Sequence, residues 1–491
     1  MLPCMTWLLI SLHLLLIAAF GLRILLRDDL RPDVRMGWLA VIVLIPYVSC
    51  LLYYLFGEVA LRRDKRRQQR LNVRDYAQQH GLANLPAAPN QAADFIAPAW
   101  KPAFDYASSI NGFTPQLGHS AELMADGADA RARMLADMDA AQHEIHVLYY
   151  IWLDDQTGTH TAQALMRAAR RGVTCHAMVD GLGSRALLKS ALWQEMAQAG
   201  VQVAVALPIE HPLKVLLTSR IDLRNHRKIT VIDDRIVYCG SQNCADEAFL
   251  PKANFAPWVD IMLRLQGPVV QQMQQVFASD WGQSGAQPIP ARPARIDATH
   301  TAATNIQPSG FAAVVLAEGP TERSGSTSQL VSTLLACARD EVVISTPYFI
   351  PDATVLEALC AAAWRGVRVS LIFPARNDSW IVGGASRSNY QRMLSAGIHI
   401  HEFTPGLLHA KTLCVDGVVT LMGSTNLDLR SFGLNFENNV LLQNHHVTQA
   451  VRGRQNDYMR QSQPVTLEQV RAWPWHLRIW SNLLATLSPL L

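Results

Sequence analysis

Two short stretches of this chain carry the same reactive side chains at the same spacing. Residues 224–243 read RNHRKITVIDDRIVYCGSQN, and residues 408–426 read LHAKTLCVDGVVTLMGSTN. His226, Lys228, Asp233, Gly240, Ser241 and Asn243 recur as His409, Lys411, Asp416, Gly423, Ser424 and Asn426. At about one chance in twenty per position, a second copy of such a set arises by accident at roughly 10⁻⁸ per starting point. A lone HxK means nothing, but the matched pair is a duplication.

Packed face to face, the copies supply two imidazoles, two cations, two amides and two hydroxyls. That set suits a phosphodiester. Lys228 and Lys411, with the phosphate-binding candidates Ser241, Asn243, Ser424 and Asn426, neutralise and hydrogen-bond the non-bridging oxygens, so neither a metal nor another cofactor is expected. One imidazole can attack phosphorus to give a phosphohistidine. The other protonates the departing alkoxide and then deprotonates the incoming alcohol. An unperturbed pKa of about 6.5 keeps both forms of histidine accessible near neutrality.

Each imidazole needs its second ring nitrogen held. Asp260 in WVDIMLRL and Glu437 in NFENNVLL lie in apolar, strand-like runs where an unpaired charge is costly, so both are expected to orient a histidine. Which carboxylate serves which histidine is open at this stage. Asp233 and Asp416 complete the two HxKxxxxD motifs, yet each lies an odd number of residues from its histidine and lysine. On a strand they point to the opposite face, so turn or hydrogen-bonding support is expected ahead of direct catalysis. His399 with His401, and His445 with His446, have no third ligand at a sensible spacing.

The elements around the motifs alternate. Helices are predicted over 131–142 and 159–171, strands over 144–153 and 173–179, and the second half repeats the order with helices over 329–339 and 353–365 and strands over 341–347 and 367–373. The fold class is therefore α/β, as two duplicated lobes packed face to face: 127–284 and 326–462. Composition marks 71–126 and 285–325 as linkers, and 463–491 as a C-terminal interfacial or packing segment carrying Trp473, Trp475 and Trp480. Residues 207–219 read as an apolar, basic lid or packed loop. Residues 180–184 (DGLGS) lack the rest of any nucleotide fingerprint and read as a plain turn.

Residues 1–22 and 36–57 are uncharged and each long enough to cross a bilayer, so residues 1–70 are expected to form a two-helix transmembrane hairpin. Six basic residues over 62–70 outnumber the four over 23–35, which favours catalytic lobes on the cytoplasmic side. Only 17% of the 491 residues are charged, 49% are hydrophobic and the formal net charge is +3, which argues against a nucleic-acid partner held by bulk positive charge. The eight cysteines form no CxxC pair and read as buried free thiols.

The doubled HxKxxxxD with GSxN resembles the phospholipase D superfamily. The longer context, from RPDVRMGWLAVIVLIPY and YYLFG through WVDIMLRLQGPVV and STNLDLRSFGLNFENN to LLATLSPLL, is similar to bacterial cardiolipin synthases over nearly the whole chain. This resemblance implies a two-lobed phospholipase D fold, a membrane anchor in the bacterial inner membrane, and a phosphohistidine intermediate. It further implies phosphatidyl transfer between two phosphatidylglycerols with release of glycerol, and His226 as the nucleophile. Hydrolysis to phosphatidic acid competes for the same intermediate. A nuclease or a non-catalytic membrane scaffold fits the hydrophobic N-terminus and the two complete motifs less well. Oligomeric state is not legible.

Overall fold

The computed structural model describes residues 2–28, 30, 32–57, 73–79, 92–208, 222–289 and 310–487. The chain divides into two compact units, one holding the helices within residues 1–68 and the other residues 69–209 with 223–486.

In the first unit, helix Leu2–Leu25 packs against Pro32–Leu44 and Pro46–Leu52, and the last runs into a π-helical turn, Tyr53–Gly57. Trp38, Ile42, Cys50 and Tyr53 are buried with Ile24 between them. The second expected span is not continuous. Ile45 leaves the helical region at φ −137°, and Pro46 opens a new helix, because proline has no N–H to give the preceding turn and its ring clashes there. Among the described residues, no helix is long and apolar enough to cross a membrane. The basic residues over 62–70 lie outside the described residues, as do 209–219 of the expected lid.

The second unit is built on one sixteen-stranded sheet among the described residues. Fifteen strands run edge to edge in the order Ser462–Val465, His399–Phe403, Arg368–Pro374, Glu341–Ser345, Thr412–Val415, Val419–Gly423, Asn435–Gln443, Phe311–Glu318, Gln116–Leu123, Met262–Gln266, Ile236–Gly240, Lys228–Ile232, Glu144–Tyr149, Thr174–Asp180 and Gln202–Ala206. The order is a palindrome of the duplication. Glu341–Ser345 stands where Glu144–Tyr149 stands, Thr412–Val415 answers Lys228–Ile232, and Asn435–Gln443 answers Met262–Gln266. The two halves join where Gln116–Leu123 pairs antiparallel with Phe311–Glu318.

Those two central strands correct the linker assignments. Residues 97–123 belong to the fold, as helix Lys101–Asn111 and a sheet strand, and Phe311–Glu318 is buried along its whole length although it falls within 285–325. Composition cannot find them, because their partners are remote: Phe311–Glu318 lies between Gln116–Leu123 and Asn435–Gln443. Residues 290–309 lie outside the described residues. In the loop 180–184, one carboxylate oxygen of Asp180 accepts from the N–H groups of Leu182 and Gly183, both at 2.9 Å, which makes it a turn. The seven described cysteines are all unpaired, and all but Cys337 are buried.

Candidate active site

Each motif histidine sits just before a hairpin strand, at a point where its own lobe's backbone crosses to the other lobe. Arg224 and Asn225 pair in parallel with Asn435 and Phe436, and the His226 N–H donates to the Phe436 carbonyl at 2.9 Å. Leu407 and Leu408 pair in the same way with Trp258 and Val259, and the His409 N–H donates to the Val259 carbonyl at 2.8 Å. The residues that follow those carbonyls are Glu437 and Asp260. The side chains complete the pairing: His226 Nδ1 lies 2.8 Å from Glu437 Oε2, and His409 Nδ1 lies 2.6 Å from Asp260 Oδ1. Each histidine is therefore oriented by a carboxylate from the opposite lobe.

The serines hold these carboxylates in turn. Ser241 Oγ donates to Asp260 at 2.6 Å and accepts from the Ile261 N–H, while Ser424 Oγ donates to Glu437 at 2.5 Å and accepts from the Asn438 N–H. A hydroxyl has one proton to give, and here it is given to a carboxylate rather than to the phosphate expected from sequence. The preceding glycines make room for the approach. A Cβ on Gly240 would lie 2.2 Å from the Ile261 carbonyl oxygen, and one on Gly423 would lie 2.2 Å from that of Asn438.

Lys228 and Lys411 each donate to the carbonyl of their own motif histidine at 2.6 Å. Burial lowers Lys228 to about 8 against the pull of Glu437 and Asp260. Burial lowers Lys411 to about 7, with Lys228 opposing its charge and Asp260 favouring it. Burial, reinforced by Lys228 and Lys411, brings His226 down to about 4 although Glu437 opposes this, and burial and Lys411 lower His409 as well. Burial raises Glu437 and Asp260, but their histidines, lysines and serines together outweigh it and leave both below their usual range. A carboxylate at Nδ1 fixes the proton on that nitrogen and leaves Nε2 as the reactive position. Asn243 Oδ1 accepts from the Ile151 N–H at 3.3 Å, and Asn426 Nδ2 donates to Ser431 at 3.3 Å while its Oδ1 is buried without a partner.

Asp233 and Asp416 are not brought into this cluster. Both have positive φ, +53° and +49°, in the tight turns of their hairpins. The Asp233 carboxylate accepts from the N–H groups of Gln142, His143 and Glu144, and Asp416 accepts from those of Arg339, Asp340 and Glu341. Each thus ties its hairpin to the start of the neighbouring strand.

Four residues escaped the sequence reading. Tyr150 packs 4.9 Å from the His226 ring and Trp258 4.7 Å from the His409 ring, each on the end of a strand beside the site. Arg227 is buried and binds Asp280 at 2.5 Å, the Glu437 carbonyl at 3.0 Å and the Glu318 carbonyl at 3.3 Å. Asn438 Oδ1 accepts from the Lys228 N–H at 2.9 Å. The signal for Arg227 was the one asymmetry inside the motifs, HRK against HAK. Among the described residues, no group of three or more His, Cys, Asp or Glu is placed to hold a metal ion.

The family description "Cardiolipin synthase, PLD-like domain" matches residues 134–281 and 331–457, the two halves that carry these motifs. The chain is 35% identical to cardiolipin synthase A of Citrobacter koseri, over 99% of this chain and 98% of that protein. It belongs to the cardiolipin synthase family. Cardiolipin synthase A of Klebsiella pneumoniae is likewise 35% identical over 99% of this chain and 98% of its own length. A second description, "Phospholipase D-nuclease N-terminal", matches residues 14–58. Among solved structures, phosphatidylserine synthase of Haemophilus influenzae superposes with a TM-score of 0.61 at 16% identity, covering 79% of this chain and all of that one. This likeness extends the duplicated α/β architecture of the cardiolipin synthase family to a second protein of low sequence identity.

Proposed function

We propose that this protein transfers a phosphatidyl group from one phosphatidylglycerol to another, giving cardiolipin and glycerol. Family membership over the full chain supports the reaction. The observation that carries the mechanism is the pair of histidines, each held at Nδ1 by the other lobe's carboxylate, with two lysines between them.

In the free site His226 is neutral, with its Nδ1 proton donated to Glu437 and a lone pair on Nε2. A bound phosphodiester brings a negative charge that offsets Lys228 and Lys411 and favours protonated His409. His226 Nε2 attacks phosphorus, and a P–N bond forms as the P–O bond to glycerol breaks. His409 gives its Nε2 proton to the departing oxygen, and glycerol leaves. A hydroxyl of the second phosphatidylglycerol then loses its proton to His409 while its oxygen attacks phosphorus, and the P–N bond breaks to return neutral His226. Lys228, Lys411, Asn243 and Asn426 hold the non-bridging oxygens as charge moves onto them. Ser241 and Ser424 act through the carboxylates.

The lipid substrate also accounts for the first unit. Leu12, Leu14, Leu15, Leu22, Val43, Leu44, Ile45 and Leu51 are exposed on its helices, which suits a hairpin held in a membrane. The charge bias of the sequence puts the catalytic lobes on the cytoplasmic side of the bacterial inner membrane.

Mass spectrometry of the products formed by the purified protein from phosphatidylglycerol alone tests this reading. Cardiolipin with an equal amount of glycerol is expected. Phosphatidic acid as the main product would replace the transferase by a hydrolase.

A further inference from the structure

The C-terminal helix of the catalytic unit, Trp475–Leu487, is apolar on two sides. Its inward side buries Ser481 and Leu484, the latter against Ile350 and Ala385 of the second lobe. Its outward side carries Trp475, Ile479, Trp480 and Leu483, which are 73%, 59%, 45% and 47% exposed. These positions fall at i, i+4, i+5 and i+8, a single stripe where a water-facing helix would carry polar side chains. Trp480 stacks on Trp380 of helix Trp380–Arg387, with ring centroids 5.7 Å apart and planes 7° from parallel, and Trp380 is itself 65% exposed.

The charges around this face have one sign. No Asp or Glu occurs at 379–401 or at 469–491, whereas Arg387, Arg471 and Arg478 do. Aromatic rings with arginines and no acidic residue match the chemistry of an anionic bilayer surface, where the rings enter the headgroup region and the guanidinium groups meet phosphates. The face also continues to the site. Asp378, two residues before Trp380, accepts from the Tyr348 hydroxyl at 2.7 Å and pairs with Lys252 of the first lobe at 2.5 Å. The strand following Tyr348, Phe349–Ile350, pairs with Leu427–Asp428, directly after Asn426 of the second motif. Leu250, beside Lys252, is exposed as well.

We propose that Trp380, Trp475, Ile479, Trp480 and Leu483 form a bilayer-docking surface for anionic phospholipid, on the same lobe as the second motif. This deepens the lipid-substrate reading above and is independent of the N-terminal helices.

The test uses the full chain with Leu483→Cys carrying a nitroxide, a substitution on the outward side of the helix. Gln194→Cys, on exposed helix Ala191–Gln198 of the first lobe, is the control, and the unsubstituted chain labelled in the same way gives the background. Collision rates with oxygen and with a water-soluble nickel chelate are read in vesicles of phosphatidylglycerol and phosphatidylcholine. Docking predicts that the 483 label gains oxygen collisions and loses nickel collisions at least fivefold relative to the 194 label. Equal nickel access at 483 and 194 would overturn the proposal. So would a 483 label shielded from both reagents and broadened by a second nitroxide, which would assign the face to a contact between copies of the chain. A lipid-shielded label in a protein that makes no cardiolipin would leave the docking surface standing and remove the transferase reading instead.

Discussion

His226 Nδ1 lies 2.8 Å from Glu437 Oε2, across 211 positions of sequence and from one lobe to the other. The reciprocal contact, His409 to Asp260 at 2.6 Å, runs the opposite way. Neither lobe holds an oriented histidine by itself, so the sheet that joins the lobes through Gln116–Leu123 and Phe311–Glu318 is part of the catalytic apparatus. Arg227 reinforces this junction by binding the Glu437 carbonyl and the Glu318 carbonyl from the first lobe.

The exchange of carboxylates sets the first expectation. Glu437→Gln and Asp260→Asn keep the shape of each contact but remove the charge that fixes the Nδ1 proton and stabilises an imidazolium. Each should lower kcat by on the order of 10²–10⁴, the range of a general acid–base contribution. Steady-state kinetics on phosphatidylglycerol vesicles measures this, and a loss smaller than tenfold in both variants would refute the orienting role.

Asp233 and Asp416 should affect stability instead. Asp233→Ala deprives three backbone N–H groups of their acceptor and puts alanine at φ +53°, so several contributions of about 1–3 kcal/mol are lost together. The Tm should fall by several degrees, while kcat per folded molecule changes little. Asp233→Asn tolerates the positive φ and keeps one acceptor, so its loss should be smaller. Thermal unfolding alongside titration of active sites separates the two effects; a large drop in kcat with unchanged Tm would make Asp233 catalytic.

The limits of the sequence follow from these same residues. His226, Lys228 and their repeats were legible because a short hairpin keeps reactive groups at fixed spacing, and Glu437 and Asp260 were legible because a charge in an apolar strand needs a partner. The pairing between lobes was not, since near-symmetry makes the two assignments equal on paper. Ser241 and Ser424 were misread because their location beside the carboxylates depends on how closely Gly240 and Gly423 let the adjacent strands approach. The central strands were hidden by their distance from every partner. The interruption at Pro46 was visible in the sequence, and the apolar run around it outweighed it.

A pH dependence follows from the buried lysines. With Lys411 at about 7 and Lys228 at about 8, raising the pH through this range discharges first one and then the other in the free enzyme. The site then loses its attraction for a phosphodiester anion, so kcat/KM should fall above pH 7. A bound phosphate favours the charged amines, so the fall in kcat should lie at higher pH. His226 contributes to stability with a definite sign. It is lowered to about 4 in the folded protein, against about 6.5 unfolded, so the unfolded chain takes the proton first and stability declines as the pH falls between those values. A kcat/KM that stays flat from pH 7 to 9 would argue that other groups hold the anion.

The roles of the two histidines can be separated by the leaving group. Glycerol leaves as an alkoxide of high pKa and needs a proton, whereas nitrophenolate leaves without one. His409→Ala should therefore still release a burst of nitrophenol from an activated phosphatidyl ester and accumulate a phosphohistidine on His226, because attack proceeds while activation of the second alcohol is lost. His226→Ala has no nucleophile and should give neither product with any leaving group. The orienting carboxylates should divide in the same way: Asp260→Asn should be rescued by the activated ester, and Glu437→Gln should not, since Glu437 holds the attacking ring. General acid catalysis is worth on the order of 10²–10⁴ in rate, so stopped-flow release of nitrophenol resolves the contrast. A burst from His226→Ala and none from His409→Ala would exchange the two roles and, with them, the roles of the carboxylates. No burst from either variant, with full activity in the unsubstituted protein, would remove the covalent intermediate and leave direct displacement by the second lipid.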